Sequence, residues 1–289
     1  MSADVEGTGE PVFKKIIVGH DGSAQAEDAL AFAKALIPAQ LLVAQIFPHE
    51  AFLDSPVPEP DEPQHALVEQ RTAEVREELR PVAEQAGGAP VVVAGTSPAH
   101  GLHRLAVQLE ADLIIVGSSH RGRAGQVLAG TAGERVLHGA PCAVAVARRG
   151  FAREPELSLG QIGVGYNGSS ESRLALQEAT RIGLGVGAAL KLFAVAPNTP
   201  FAERDRLKDE LEATVAALPD ELQVEGVLLS GHPNEVLGEQ EVDLLVVGSR
   251  GYGPLRTVLL GGVSGPLVRS ASSTVLVLPR GLDSPRHSP

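Results

Sequence analysis

The chain is predicted to be an α/β protein of two tandem domains, residues 1–148 and 149–289, each a parallel sheet covered by helices on both faces. Three observations predict this. Residues 112–131 (DLIIVGSSHRGRAGQVLAGT) return 131 positions later as residues 243–262 (DLLVVGSRGYGPLRTVLLGG), so one module is present twice. Each copy spans about 130 to 145 residues, a length that buries its own core, and so reads as a domain rather than a solenoid turn. Within each copy, short β-branched runs alternate with stretches of helical spacing, the pattern of strands buried on both faces between crossover helices.

In the first copy, residues 16–19 form a short apolar strand. Ala26, Ala29, Leu30, Ala33 and Leu36 then fall at helical spacing after Ser23, a candidate N-cap. Residues 41–47 make the second strand. The segment 52–63 (FLDSPVPEPDEP) is rich in proline and acid and reads as a loop. A helix follows over about 66–86, then a strand at 91–94, a helix over about 99–110, a strand at 113–116, a glycine-bearing loop, a helix from Thr131 and a last strand at 143–147. The second copy repeats this order. Residues 17–30 (IVGHDGSAQAEDAL) align with 163–176 (GVGYNGSSESRLAL) at an offset of 146, and 41–48 with 190–197 at 149; the offset then falls to 131. The deletion therefore lies between Pro197 and Asp243 and shortens the third helix of the second copy. The last strands, 143–147 and 274–278, are unpaired edges unless they meet, so they are the expected joint of an intrachain pseudo-dimer. A homodimer of whole chains is compatible with this.

Composition narrows the function classes. Of 289 residues 43% are hydrophobic, and the formal net charge is −12, which repels phosphate backbones and argues against nucleic acid as partner. No stretch is apolar enough to span a membrane, and the first residues (MSADVEGTGEP) lack the basic and apolar regions of a signal peptide, so the expected location is the cytoplasm. The single cysteine, Cys142, sits in an apolar run after Pro141 and reads as a buried core thiol. His49, His65, His100, His103, His138 and His232 show no metal-ligand spacing.

Parallel sheets bind ligands at the carboxyl ends of their strands. In the first copy those ends carry Asp21, Ile46 and Gly117, while Gly130 and Thr131 open the next helix, where free N–H groups and absent side chains suit an anion. The second copy offers Asn167, Val195, Gly248, Gly251, Gly261, Gly262 and Ser264 in the matching segments.

These residues resemble the universal stress protein family. Its ATP-binding members carry glycine, two residues, glycine, nine residues, then glycine with serine or threonine, together with an aspartate after the first strand and a valine-like residue closing the second. The resemblance covers both copies and implies Rossmann-like domains, each with a five-stranded parallel sheet, and a stress-response protein that binds adenine nucleotide. The ligand so implied is ATP, with or without Mg2+; AMP and other adenine nucleotides fit the same motif. By the same resemblance the loop glycines hold the phosphates, Asp21 and Asn167 face ribose or metal, and the backbone of Ile46 and Val195 meets adenine. Both copies depart from the pattern. The first keeps Asp21, Gly130 and Thr131 but has His120 for the second glycine; the second keeps Gly248, Gly251 and Gly261 but has Gly262 for the hydroxyl residue and Asn167 for the aspartate, with Ser264 a candidate replacement hydroxyl.

Local structural roles compete at several positions. Thr131 with Glu134 makes a capping box. Asp21 and Asn167 suit strand-to-helix turns, and Asp112 and Asp243 suit the turns before their strands. Arg121, Arg123 and Arg250 read either as phosphate partners or as solvated loop charges. Enzyme readings find few parts. Gly163-Val164-Gly165-Tyr166-Asn167-Gly168 matches a dinucleotide fingerprint, yet the next strand ends at Ala196-Pro197-Asn198 without the acid a ribose requires. No GxxxxGKS or GxxxxGKT string occurs, so phosphoryl transfer lacks its lysine. The expectation is a non-enzymatic nucleotide-binding protein. The alternatives are a ligand-free interaction protein and a slow ATPase.

Overall fold

The structure is a computed structural model that describes residues 11–48, 62–118, 131–197, 200–249, 258 and 261–279. The first half contributes β1 (Lys15–Gly19), α1 (Ala24–Ala35), β2 (Gln40–Pro48), α2 (Glu62–Gln85), β3 (Ala89–Gly95), α3 (Pro98–Leu109), β4 (Leu113–Gly117), α4 (Thr131–Leu137) and β5 (Ala143–Ala147). The second contributes β6 (Gln161–Tyr166), α5 (Ser170–Val186), β7 (Ala189–Ala196), α6 (Phe201–Ala216), β8 (Val224–Ser230), α7 (Pro233–Gly238), β9 (Leu244–Gly248), α8 (Ser264–Ser270) and β10 (Thr274–Leu278). Ser23 caps α1 as its spacing indicates, its Oγ accepting from the N–H of Ala26 at 3.2 Å. The third helix shrinks from the 12 residues of α3 to the 6 of α7. One boundary differs from expectation: α2 begins at Glu62, so the end of the proline-rich segment is helical. Pro63 lies in the first turn, where the missing N–H has no intrahelical partner to lose. The rest of that segment lies outside the described residues.

Each half is a five-stranded parallel sheet of Rossmann-like order, and the two merge into one ten-stranded sheet, β3-β2-β1-β4-β5-β10-β9-β6-β7-β8. The joint is the expected one. β5 and β10 pair antiparallel, with Val146 opposite Val275 and Val144 opposite Val277, so each edge covers the other. Because this one pairing is antiparallel, the strand ends that carry the two candidate sites point in opposite directions. One core lies between the sheet and α1, α2, α5 and α6, the other between the sheet and α3, α4, α7 and α8.

The halves clasp each other through the segments that enter them. Before β1, the carbonyl of Val12 accepts from Arg181 of α5, whose guanidinium lies 5.4 Å from the centre of the Phe13 ring. Before β6, the linker lies on α1: the buried carboxylate of Asp28 accepts from the N–H groups of Gly150 (2.8 Å) and Ala152 (2.9 Å), and Phe151 meets Phe32 edge-on at 5.5 Å. Asp28 aligns with Leu174, so this acid is present only in the copy that receives the linker. On the opposite face buried Val258 reaches the first half, donating to the carbonyl of Ala140 (3.0 Å) and accepting from Gly139 (2.9 Å).

The ends of the first helices differ in a way that predicts stability. Gly187 follows α5 with φ 74°, while Ile37 follows the α1 cap with φ 49°, a left-handed conformation that a β-branched side chain resists. Ile37 is 65% exposed and loses little packing when removed. Ile37→Gly is therefore expected to stabilise the chain by about 0.5–1 kcal/mol, the relieved strand of strain exceeding the added unfolded-state entropy. A lowered urea midpoint would contradict this.

Candidate functional site

In the second half, β6 ends at Tyr166 and the chain turns into α5 through Asn167, Gly168 and Ser169. The Asn167 Oδ1 accepts from the Ser169 N–H (3.2 Å) and Oγ (2.7 Å), Ser169 Oγ accepts from the Ser172 N–H (3.2 Å), and Ser172 Oγ accepts from the Asn167 N–H (3.3 Å). This closed set of bonds fixes the turn. The first half uses Asp21 in the same way, its Oδ1 accepting from the Ser23 N–H at 3.0 Å. Both residues thus make the Asx turn that competes with a ligand role, and both remain exposed at the strand ends.

A cavity of about 440 Å³ opens beside this turn, at the carboxyl ends of β6, β7 and β9. β6 and β9 are neighbours in the sheet but not in sequence, so the cavity sits where the winding reverses, the usual ligand position of such folds. Its size falls within the ~300–1,000 Å³ of small-molecule sites. Of the residues selected from sequence it gathers Asn167, Val195, Gly248, Gly261 and Ser264. Ser264 is buried and its Oγ accepts from the Gly261 N–H at 2.9 Å, so the hydroxyl stands beside that glycine. Gly262 is exposed, with open space where a Cβ would stand, and does not line the cavity. Gly251 lies outside the described residues, as does Arg250.

In the first half, Asp21, Ile46 and Gly117 share the carboxyl end of the sheet. Ile46 is half-buried and packs on α3, where its Cγ2 occupies the place of a Cβ at Gly101. Thr131 is the first residue of α4. His120 and Gly130, like Arg121 and Arg123, lie outside the described residues.

The strand-end glycines answer first to packing. A Cβ on Gly117 would stand 2.1 Å from the carbonyl oxygen of Gln25 in α1, and one on Gly248 2.7 Å from that of Glu171 in α5. Helix and strand approach so closely that neither position holds a side chain. The residues just after them, Ser118 (3% exposed) and Ser249 (1%), bury hydroxyls that find no hydrogen-bond partner among the described residues; the Gln25 Oε1 is in the same position. Buried polar atoms are ordinarily satisfied, so these point to a polar ligand or water at the strand ends. Asp112 and Asp243 serve the other end of the sheet, accepting from the N–H of Lys15 (2.9 Å) and of Gly160 (2.8 Å) and Gln161 (2.9 Å) respectively. They tie neighbouring strands together rather than only their own turns.

Several lining residues are not selected by sequence motif. Tyr166 ends β6 and Ser172 lies in the first turn of α5, while Phe193, Pro233, Leu237 and Val247 are the apolar members. A signal for Phe193 exists in the comparison of the two copies. Ile17 and Ala44 of the first align with Gly163 and Phe193 of the second, a transfer of bulk between neighbouring strands. A Cβ on Gly163 would meet the Phe193 ring at 2.7 Å. The first glycine of the apparent dinucleotide fingerprint is therefore accounted for by this ring.

Comparison with known proteins gives a consistent result. The model of the universal stress protein family matches residues 13–148 and again 159–279. A universal stress protein of Mycobacterium tuberculosis is 28% identical over 199 residues, which cover 62% of this chain and 68% of that protein. One from Thermus aquaticus is 32% identical over 141 residues, covering 47% of this chain and all of that protein. The crystal structure of a universal stress protein from Archaeoglobus fulgidus has the same fold, with a TM-score of 0.68 at 20% identity over 93% of this chain and 99% of that one. No helix among the described residues is long and apolar enough to cross a membrane.

Proposed function

The chain belongs to the universal stress protein family, and from that premise we propose that it is a stress-response binding protein that holds an adenine nucleotide, ATP foremost, without turning it over. The observation that carries this is the second-half cavity at the winding reversal, which joins an apolar wall (Val195, Leu237, Val247) to hydroxyl and backbone groups around Gly248, Gly261 and Ser264. An adenine fits the first and a phosphorylated ribose the second. The buried hydroxyls of Ser118 and Ser249, which have no hydrogen-bond partner among the described residues, are consistent with a polar ligand or water at each set of strand ends. Where Mg2+ accompanies the nucleotide, it would neutralise phosphate charge, and the described lining includes Asn167 and Glu171 as oxygen-bearing residues.

The non-catalytic part of the proposal rests on chemistry that is missing from the sequence. Phosphoryl transfer requires charge stabilisation at the γ-phosphate and a residue that orients the attacking water. The sequence has no P-loop lysine for the first task. Ligand occupancy then acts by changing conformation or partner choice.

The test is direct. Purified protein, denatured, should release adenine nucleotide, and added ATP should raise the melting temperature with the logarithm of its concentration while remaining intact over hours. Protein that releases no nucleotide and shows no thermal shift would favour a ligand-free interaction protein. Sustained phosphate release, absent from a Gly130→Val, Gly261→Val double variant, would instead make the chain an ATPase.

A further inference from the structure

The two outer edges of the sheet are unequal. β3 closes one end and carries Pro90, which has no N–H to offer a further strand. The 24-residue α2 packs on it, and Val92 and Gly95 are buried. β8 closes the other end without these protections. It contains no proline, none of its seven residues is buried, and the 16-residue α6 that packs on it and on β7 buries only Leu211. Phe201, at the start of α6, is 79% exposed. Among the described residues β8 pairs with β7 alone. Such edges are ordinarily blunted by proline, lysine or a covering element.

The backbone shows what this edge offers. The Leu190 N–H donates to the carbonyl of Gln223 (2.8 Å), and Leu190 stands level with Val224. Bonding groups alternate along a parallel ladder, so residues 223, 225, 227 and 229 face β7, while the N–H and C=O of Val224, Gly226, Leu228 and Ser230 face outward. We propose that this edge is a homodimer surface, on which β8 pairs antiparallel with β8 of a second copy across a twofold axis beside Val227. In that register Gly226 exchanges both hydrogen bonds with Leu228 of the second copy, and Val224 does so with Ser230, so the strand is complementary to itself. Glu225, the one charge of the strand, falls opposite Leu229 of the second copy. An axis at Glu225 would set the two acids against each other and is disfavoured.

The covering helix favours a second copy as the occupant. A twofold axis normal to the sheet keeps both α6 helices on one face, as the β5–β10 joint keeps α1, α2, α5 and α6 on one face within the chain. Strands stand about 4.8 Å apart and α6 lies over β7 and β8, so the two α6 helices would run antiparallel about 10 Å from each other, the spacing of packed helices. Residues 201–208 carry three bases and two acids, and residues 209–216 carry three acids and no base. The basic half of each helix therefore meets the acidic half of the other. Phe201 of each is brought toward Val215 and Leu218 of the other, which are half-buried in the single chain.

Sedimentation equilibrium of the full chain tests the dimer without any nucleotide, so its outcome is separate from the ligand reading. The wild type should sediment as a dimer at micromolar concentration. Leu228→Pro removes an outward N–H that the β7 ladder does not use, so the variant should fold and sediment as a monomer. Glu210→Lys with Glu212→Lys alters only exposed side chains and should weaken the dimer about tenfold, by setting base against base between the helices. Circular dichroism checks the fold of both variants. A wild-type monomer overturns the proposal, and so does a folded Leu228→Pro chain that still dimerises. Should that chain not fold, the lysine variant decides in its place, an unchanged dissociation constant overturning the proposal and a raised one supporting it.

Discussion

Gly117→Ala is expected to destabilise the first half by about 3 kcal/mol, the upper range of overpacking effects. The added methyl would stand 2.1 Å from the Gln25 carbonyl oxygen and 2.5 Å from its carbon. These are backbone atoms in the first turn of α1 and cannot rotate aside as a side chain would. Relief requires α1 to lift from the sheet, and its buried face, Ala29, Phe32 and Ala33, is fully packed. Gly248→Ala should cost less, because its nearest contacts stand at 2.7 Å and include the Glu171 Cβ. Urea denaturation of the two variants checks both the size and the order. A midpoint for Gly117→Ala equal to the wild type would mean that the close approach of α1 is absent in solution.

Gly261→Val should remove nucleotide binding from the second half while leaving the first half folded. Gly261 lines the cavity and its N–H already points to Ser264 Oγ, so a β-branched side chain there stands between loop backbone and ligand. The expected loss is on the order of 100-fold in affinity, about 2.7 kcal/mol. Calorimetry with ATP reads it as the disappearance of one binding event, and unchanged affinity and stoichiometry would remove Gly261 from the site. Circular dichroism separates this from unfolding.

Much of the architecture is legible because it is local or repeated. The apolar runs of β4 and β9 read as strands from four or five residues each, and the 131-residue offset makes each copy a check on the other. The β5–β10 joint follows from the rule that an apolar edge must be covered. The start of α2 is less legible, because Pro63 reads as a breaker unless its place in the first turn is known. The site is legible as a set of strand ends but not in its reasons. Gly117 and Gly248 read as phosphate contacts from their motif, and only the folded position of α1 and α5 shows that packing already demands them. Phe193 carries no motif at all. It stands out only when the two copies are aligned and a lost isoleucine is matched to a gained phenylalanine across neighbouring strands.

The antiparallel joint has a consequence for how the two halves can change. Since the halves run in opposite directions, β5 ends on the side of the sheet where β6 begins, three strand spacings away, about 14 Å. Segment 148–160 therefore needs only to step sideways, and a near-twofold pair is made from one chain. In a pair of identical chains every substitution is copied across the axis, and no residue can serve one side alone. Covalent joining lifts that constraint. Asp28 holds a linker that exists once, and the Gly163–Phe193 exchange repacks one half without touching the other. A fused chain is free to let its two halves differ residue by residue.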